Sequence, residues 1–430
     1  MMMRTDYKLK DLPIEAQKHS RIFRIQRFID AASVGFFAVI ILLLLQSRGF
    51  GLFDIAVLLA VFSGTSLVLE LPLGGLADGI GRKPVFMLSI VAFLLSILTL
   101  ILFESYWLTM LSLVFMGLRM ALVSGTLAAW FVEKFNRLAP EFSTQPVLAK
   151  NQFAMLMGQA ISSVAGGFIA DFCGSSFIDY GIGKFELPLV GAFILGIVVF
   201  IYTHFLIIED RHKIDLVLIK SGFSNLGHII YVSGIYGFKH RFILLMLVGT
   251  TCTSLALYTF QTFWVPFVKP MLNDEYAASI IGIITFGYYS SQAFGSMIAA
   301  PAIRLFNGDV AKALAGLTFI CALCLIGISF TTHIYAFIVM LALYTLFVGS
   351  TSSPHKSIFH EHIPDDKRST LLSLEALMAR LGGLVGLLFI GYIADEFSIA
   401  TAFKTGAIFI FAASFLYYIL SRRISNISSH

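Results

Sequence analysis

Five ionisable residues stand inside long apolar runs of this 430-residue sequence: Asp30, Glu70, Arg119, Glu375 and Arg380. Charge is costly in an apolar medium, so such residues face an interior or a wet cavity and are candidates for function by default. Asp30 is a carboxyl that can take up and release a proton. Arg119 keeps its charge, and can bind an anionic group or modulate a nearby acid. Each also has a structural alternative, in which Asp30 pairs with Arg27 and Arg119 snorkels or holds helix packing. Glu70, in "LVLELPLGG", suits a gating or structural partner as readily as a proton site. Glu375 and Arg380 lie five residues apart, point to different faces, and read as packing residues.

Other residues could bind rather than carry charge. Tyr258, Gln261 and Trp264 in "LYTFQTFWVPF" recur at three-residue spacing, so they share one helical face. That face reads as a stacking and hydrogen-bonding wall for an amphipathic solute, although Trp264 equally suits an interfacial aromatic belt. Gln152 and Gln159 also share a face, and read as interhelical glue. The pair Cys321 and Cys324 lies in "ICALCLIG" with no histidine or acid beside it, so packing is preferred to redox or zinc chemistry. Cys173 and Cys252 imply no disulfide framework. His355, His360, Glu361 and His362 in "HKSIFHEH" could gather a metal, but solvated surface histidines are the favoured reading, and no metal or cofactor is expected. Nucleotide-loop, nucleophile-elbow and zinc-protease motifs are missing, so no enzyme is expected.

The elements that must hold these residues follow from composition. The chain is 58% hydrophobic and 13% charged, with mean hydropathy +0.87, which places it in a bilayer. Windows of about 20 apolar residues fall at 28–47, 53–76, 85–103, 107–131, 148–172, 188–208, 242–267, 277–301, 310–331, 333–354, 371–394 and 399–421. The first of these is too long for a signal-peptide core and reads as a retained helix. With both termini cytoplasmic, the inside segments hold 24 of the 30 Lys and Arg and the outside segments four, which fixes the expected orientation. The net charge of +5 is therefore membrane-flanking, and nucleic-acid binding is excluded. Residues 1–208 form one six-helix half, 209–241 an amphipathic cytoplasmic linker and 242–430 a second half. A weak repeat supports duplication: span 5 ends in "GGFIAD" (Gly166–Asp171) and span 11 in "IGYIAD" (Ile390–Asp395).

Between spans 2 and 3 stands "GGLADGIGRKP", Gly74 to Pro84. Its glycines, Gly75 and Gly81 among them, allow a tight turn between helices. Asp78 could accept hydrogen bonds from the start of a helix in the other half, near Ser369 to Ser373, and Arg82 can reach Glu133. The stretch resembles the G-x-L-a-D-x-x-G-r-k/r signature of the major facilitator superfamily. "LELPLGGLADGIGRKP" and "GLRMALVSGTLAAWFVEKF" are similar to its exporter-rich branch of drug and metabolite transporters. The resemblance covers the whole chain. It implies an all-α membrane protein of 12 transmembrane helices in two pseudo-symmetric six-helix bundles, with Gly75, Asp78, Gly81, Arg82 and Glu133 forming a conformational latch. It also implies that spans 1, 4, 7 and 10 line the cavity, which favours Asp30 and Arg119 as contacts for solute or proton.

Two departures qualify it. Ser162-Ser163 replace the Gly-Pro of an antiporter motif in span 5, weakening the inference to antiport. Span 4 has Ser124-Gly125-Thr126-Leu127-Ala128-Ala129 where relatives carry an acid, tilting the cavity toward neutral or anionic cargo. The expected function is proton-coupled efflux of a small amphipathic molecule, drug-like or a metabolite such as a siderophore, by a monomer in the bacterial inner membrane. The alternatives are proton-coupled nutrient uptake and a non-transporting receptor or scaffold.

Overall fold

The protein is described here from a computed structural model covering Tyr7 and residues 9–124, 126–209, 240–361 and 368–428. Hydrocarbon satisfies no backbone N–H or C=O, so a chain this apolar must pair those groups within helices. Among the described residues there is no strand. The long helices are α1 (Ile14–Ser47), α2 (Leu52–Ile80), α3 (Arg82–Leu102), α4 (Tyr106–Val123), α5 (Leu127–Leu138), α6 (Gln145–Phe168) and α7 (Glu186–Leu206). They continue with α8 (Arg241–Val268), α9 (Ala277–Leu305), α10 (Val310–Ser329), α11 (Ile334–Glu361), α12 (Arg368–Glu396) and α13 (Ile399–Ser428). Among the described residues, eleven segments are long and apolar enough to cross a membrane. The twelfth expected span, α9, carries Tyr288, Tyr289, Ser290, Ser291 and Gln292 at its centre.

Three expectations change. Span 4 is not one run, because α4 and α5 part at Ser124–Thr126. The signature stretch is not a loop: α2 continues through Gly75 and Asp78 to Ile80, and the turn is Gly81 alone, at φ 101°, with α3 starting at Arg82. Only glycine adopts that backbone at little cost. Span 10 does not stop at Pro354, which lies inside α11. Nearly all of the expected linker, residues 210–239, lies outside the described residues.

The chain forms two compact units, Met1–Arg48 with Gly64–Leu226 and Tyr276–Thr285, and Gly49–Ser63 with Gly227–Glu275 and Phe286–His430. In the first, α1 lies along α6, and the amphipathic α5 closes one end over Phe23, Trp130, Phe131 and Phe135. His19 is stacked on Phe131 at 4.9 Å, and its Nε2–H donates to the Phe131 carbonyl, 3.1 Å away. In the second, Phe260 packs edge-on to Tyr344 at 4.6 Å and against Phe403 at 5.4 Å.

The two repeated endings make the same contact. At the end of α6, Asp171 Oδ2 accepts the Ser279 N–H at the start of α9 (2.6 Å), and Oδ1 lies 2.8 Å from Lys184 Nζ. At the end of α12, Asp395 Oδ1 accepts the Phe53 N–H at the start of α2 (3.4 Å). Four residues before each acid is a glycine that allows close approach: a Cβ at Gly167 would collide with the Ala278 carbonyl, and one at Gly391 would stand 2.6 Å from the Ala56 Cβ. The first clasp lies within the first unit and the second within the other. Each aspartate thus caps the open N–H groups of a neighbouring helix.

Asp171→Ala removes a cap and an ion pair from a carboxylate with no exposed surface. The expected loss is about 1–3 kcal/mol, read as a lowered Tm of the purified protein. Asp395→Ala, at a longer and exposed contact, shifts the Tm less.

Candidate functional site

The intramembrane charges of the first unit converge. Arg119 Nη2 donates to Asp30 Oδ1 at 2.8 Å, and Arg27 Nη1 lies 3.7 Å from Asp30 Oδ2. Asp30 and Arg119 are 5% and 6% exposed. The guanidinium of Arg119 also stands 4.3 Å above the Phe93 ring, a cation–π contact that replaces part of its lost hydration. Asp30 therefore takes both partners considered for it. Arg119 sits one turn before the end of α4, near the middle of the span Tyr106–Leu138. Glu70 Oε1 accepts from Ser124 Oγ at 2.9 Å. A carboxylate from α2 thus reaches the break in span 4, near where relatives carry their own acid.

The expected binding wall of α8 is divided. Trp264 is buried and stacked on Phe337 of α11 at 6.4 Å, inside the core of the second unit and not in an interfacial belt. Tyr258 lies against Gly383 of α12. Gln261 is exposed, and its amide donates to the Tyr288 hydroxyl of α9 at 3.4 Å. One helical face meets three neighbours, so the residues do not form one surface.

At the signature stretch Arg82 has the partner expected of it, and the start of α3 has one that was not expected. Arg82 Nη2 lies 2.6 Å from Glu133 Oε1, a pair half open to solvent. The backbone N–H groups of Arg82 and Lys83 donate to Glu209 Oε1 and Oε2 at 2.8 and 2.9 Å. Glu209, just beyond α7, thus caps α3, and the pattern "HFLIIED" gave no sign of it beyond an acid following a span. The side chains of Asp78 and of Ser369 and Ser373 lie outside the described residues.

A second polar cluster lies in the other unit, and corrects the reading of His355 as a solvated surface group. His355 of α11 and Glu375 of α12 are joined in a short hydrogen bond, both less than a fifth exposed at their side chains. Thr250 Oγ1 of α8 stands 3.3 Å from the same Nε2. Tyr417 of α13 lies edge-on to the imidazole at 5.9 Å. Glu375 thus has a side-chain partner on another helix. It lines, with His355, Thr250, Ser254, Gln292 and Lys356, a cavity of about 430 Å³, within the range of small-molecule sites. The side chains of His360 and Glu361 and all of His362 lie outside the described residues, and no group able to hold a metal occurs among the residues described.

Paired charges and a polar cavity, all carried on membrane-length helices with no catalytic constellation, define a multi-pass transport protein. Residues 25–267 and 246–427 match the profile of the Major Facilitator Superfamily, and the chain belongs to that family. It is 22% identical over 403 residues to YxaM of Bacillus subtilis (strain 168), an uncharacterised MFS-type transporter, covering 91% of this chain and 93% of that protein. Among solved structures it resembles the nucleoside transporter NupG (TM-score 0.74, 11% identity, 94% and 98% of the two chains). It also resembles the POT family transporter PepTSo (TM-score 0.70, 13% identity, 94% and 98% covered). The chain is a transporter, not an enzyme.

Arg119→Ala leaves a buried carboxylate short of its nearest cation and is expected to cost about 3 kcal/mol or more. Asp30→Asn with Arg119→Gln recovers most of the loss. Melting curves of the two single variants and the double variant check this.

Proposed function

We propose that this transporter is driven by the proton gradient, with the Glu375 carboxylate and the His355 imidazole as the site where the coupled proton binds. The supporting observation is that pair, lying on the wall of a solute-sized cavity. Imidazole is the side chain whose charge ordinarily changes between about pH 5 and 8, and a carboxylate bonded to it releases it on protonation. The bond spans α11 and α12, so proton binding at Glu375 would free one helix from the other. The other titratable groups lining the cavity are Lys356 and Tyr417, and Cys252 stands near Tyr417. Asp30 and Arg119 are assigned a positioning role, holding α1 to α4.

The cargo is a small amphipathic molecule, drug-like or a metabolite such as a siderophore. The cavity supports this with hydroxyls and an amide from Thr250, Ser254, Ser352 and Gln292 beside Leu257, Leu314 and Val348. Export is the direction favoured by the signature stretch and span 4. Uptake by proton symport is the second reading, favoured by Ser162-Ser163 in place of Gly-Pro. Gly75, Asp78, Gly81, Arg82 and Glu133 are assigned to the latch that alternates with solute access. The protein is taken to work as a monomer in the bacterial cytoplasmic membrane with both termini inside, as its basic residues require.

Flux in vesicles under an imposed proton gradient tests this, across drugs, siderophores, amino acids, nucleosides and organic acids. Gradient-driven accumulation in inside-out vesicles is expected, and Glu375→Gln should reduce it at least tenfold while gradient-free exchange persists. Accumulation only in right-side-out vesicles would replace export with symport. Binding without flux would make the protein a receptor, and flux indifferent to the gradient would remove the proton site.

A further inference from the structure

The cavity of the second unit is bordered by three side chains that can be charged near neutral pH, His355, Lys356 and Glu375. Two of them answer each other through a hydrogen bond. With the coupled proton in place, that pair carries no net charge. The third, Lys356, is exposed, and it makes no ion pair or hydrogen bond among the described residues. The lining therefore holds one positive charge that its own residues leave unanswered.

The backbone of α11 aims that charge. Gly349, Ser352 and Lys356 stand three and four residues apart, and so share a face. Gly349 shows where the face points, because a Cβ there would collide with the Gln292 carbonyl of α9. A helical side chain leaves its Cα tilted toward the helix N-terminus. Lys356 thus leans back toward Ser352 and the cavity, and not outward past Glu361, where α11 ends. Ser352, Gln292 and Ser254 of α8 border the same space, and none makes a side-chain hydrogen bond among the described residues. A cation set among uncommitted donors, with the one acid of the lining held by an imidazole, suits an anion. The missing acid of span 4 points independently away from cationic cargo.

We propose that Lys356 is the specificity-determining residue of the solute site, and that the cargo is a small amphipathic monoanion of carboxylate type. Its anionic oxygens are received by Lys356 and Ser352, and its apolar part lies against Leu257, Leu314 and Val348. A neutral solute would leave the lysine to water, and a cation would be repelled by it. A lysine that only snorkels to the headgroups would select neither. The assignment rests on the reading of the cavity as the solute site, and supplies the charge of the cargo, which the proton site does not determine.

The test uses the full chain in phosphatidylcholine nanodiscs and three probes of similar size, phenylacetate, phenylacetamide and phenethylammonium, with Kd values from ligand-observed NMR titration. Phenylacetate should bind roughly 3- to 30-fold more tightly than the amide, between the worth of an exposed ion pair and that of one hydrogen bond to a charged group. The ammonium should bind most weakly. Lys356→Gln should bring the ratio of acid to amide to about one with the amide's Kd unchanged, whereas Lys356→Arg should preserve it. An unchanged ratio in Lys356→Gln, tighter binding of the amide or the ammonium to the unsubstituted protein, or no binding of any probe overturns the assignment. Phosphatidylglycerol in the nanodisc that erases the ratio would give the lysine to a lipid headgroup and overturn it as well. Ser254→Phe narrows the cavity and should weaken all three probes with the Tm retained; probes that bind it as before would remove the reading of the cavity as the solute site. Glu375→Gln should lose proton-driven flux and keep the ratio, so failure of the coupling site and failure of the anion site give different results.

Discussion

A charge inside hydrocarbon is costly unless a partner offsets its lost hydration, and the pairing of the buried ions in this protein follows from that. Removing an ion from water costs several kcal/mol even after relaxation. The Asp30 and Arg119 side chains, 8% and 7% exposed, meet this by direct contact, with Phe93 beneath the guanidinium. The contact ties α1 to α4 across 89 residues of sequence. The pair in the other unit obeys the same constraint with a different chemistry. His355 can lose its charge where an arginine cannot, and it stands at a cavity wall, where water and solute can reach it. A permanent pair suits anchoring, and a titratable pair suits exchange.

Much of the fold was legible because hydropathy is an average over some 20 residues and tolerates local error. Helix α3, expected at 85–103, runs Arg82–Leu102. What misled was the use of rules drawn from soluble chains. Pro354 closed the expected span 10, yet it lies within a helix, since neighbouring helices and side chains can satisfy a kinked backbone in a membrane. Ending span 10 at Pro354 placed His355 in solvent and hid its partner twenty residues on. The apolar run gave no sign that the helix would continue to Glu361.

The site itself was legible as candidates and not as partnerships. Asp30, Arg119, Arg82 and Glu133 stand out by type and depth, and the last two were also paired by sequence reasoning. Tyr258, Gln261 and Trp264 had the right spacing for a common face. Spacing says which residues share a side of one helix, but not how many helices surround it. For α8 that number includes α9, α11 and α12, each of which takes one of the three residues.

The two clasps have a mechanical counterpart. Because Asp395 binds the start of α2 and Asp171 the start of α9, each of these helices has one end in each compact unit. The changeover falls between Ser63 and Gly64 in α2 and between Thr285 and Phe286 in α9, one residue before Gly287. At Gly64 and Gly287 alike, a Cβ would meet nothing within 4 Å. A glycine mid-helix costs about 1 kcal/mol against alanine, and no neighbour stiffens either position. Each rod thus places a residue with no side chain, and open space beside it, next to the point where its packing passes from one unit to the other.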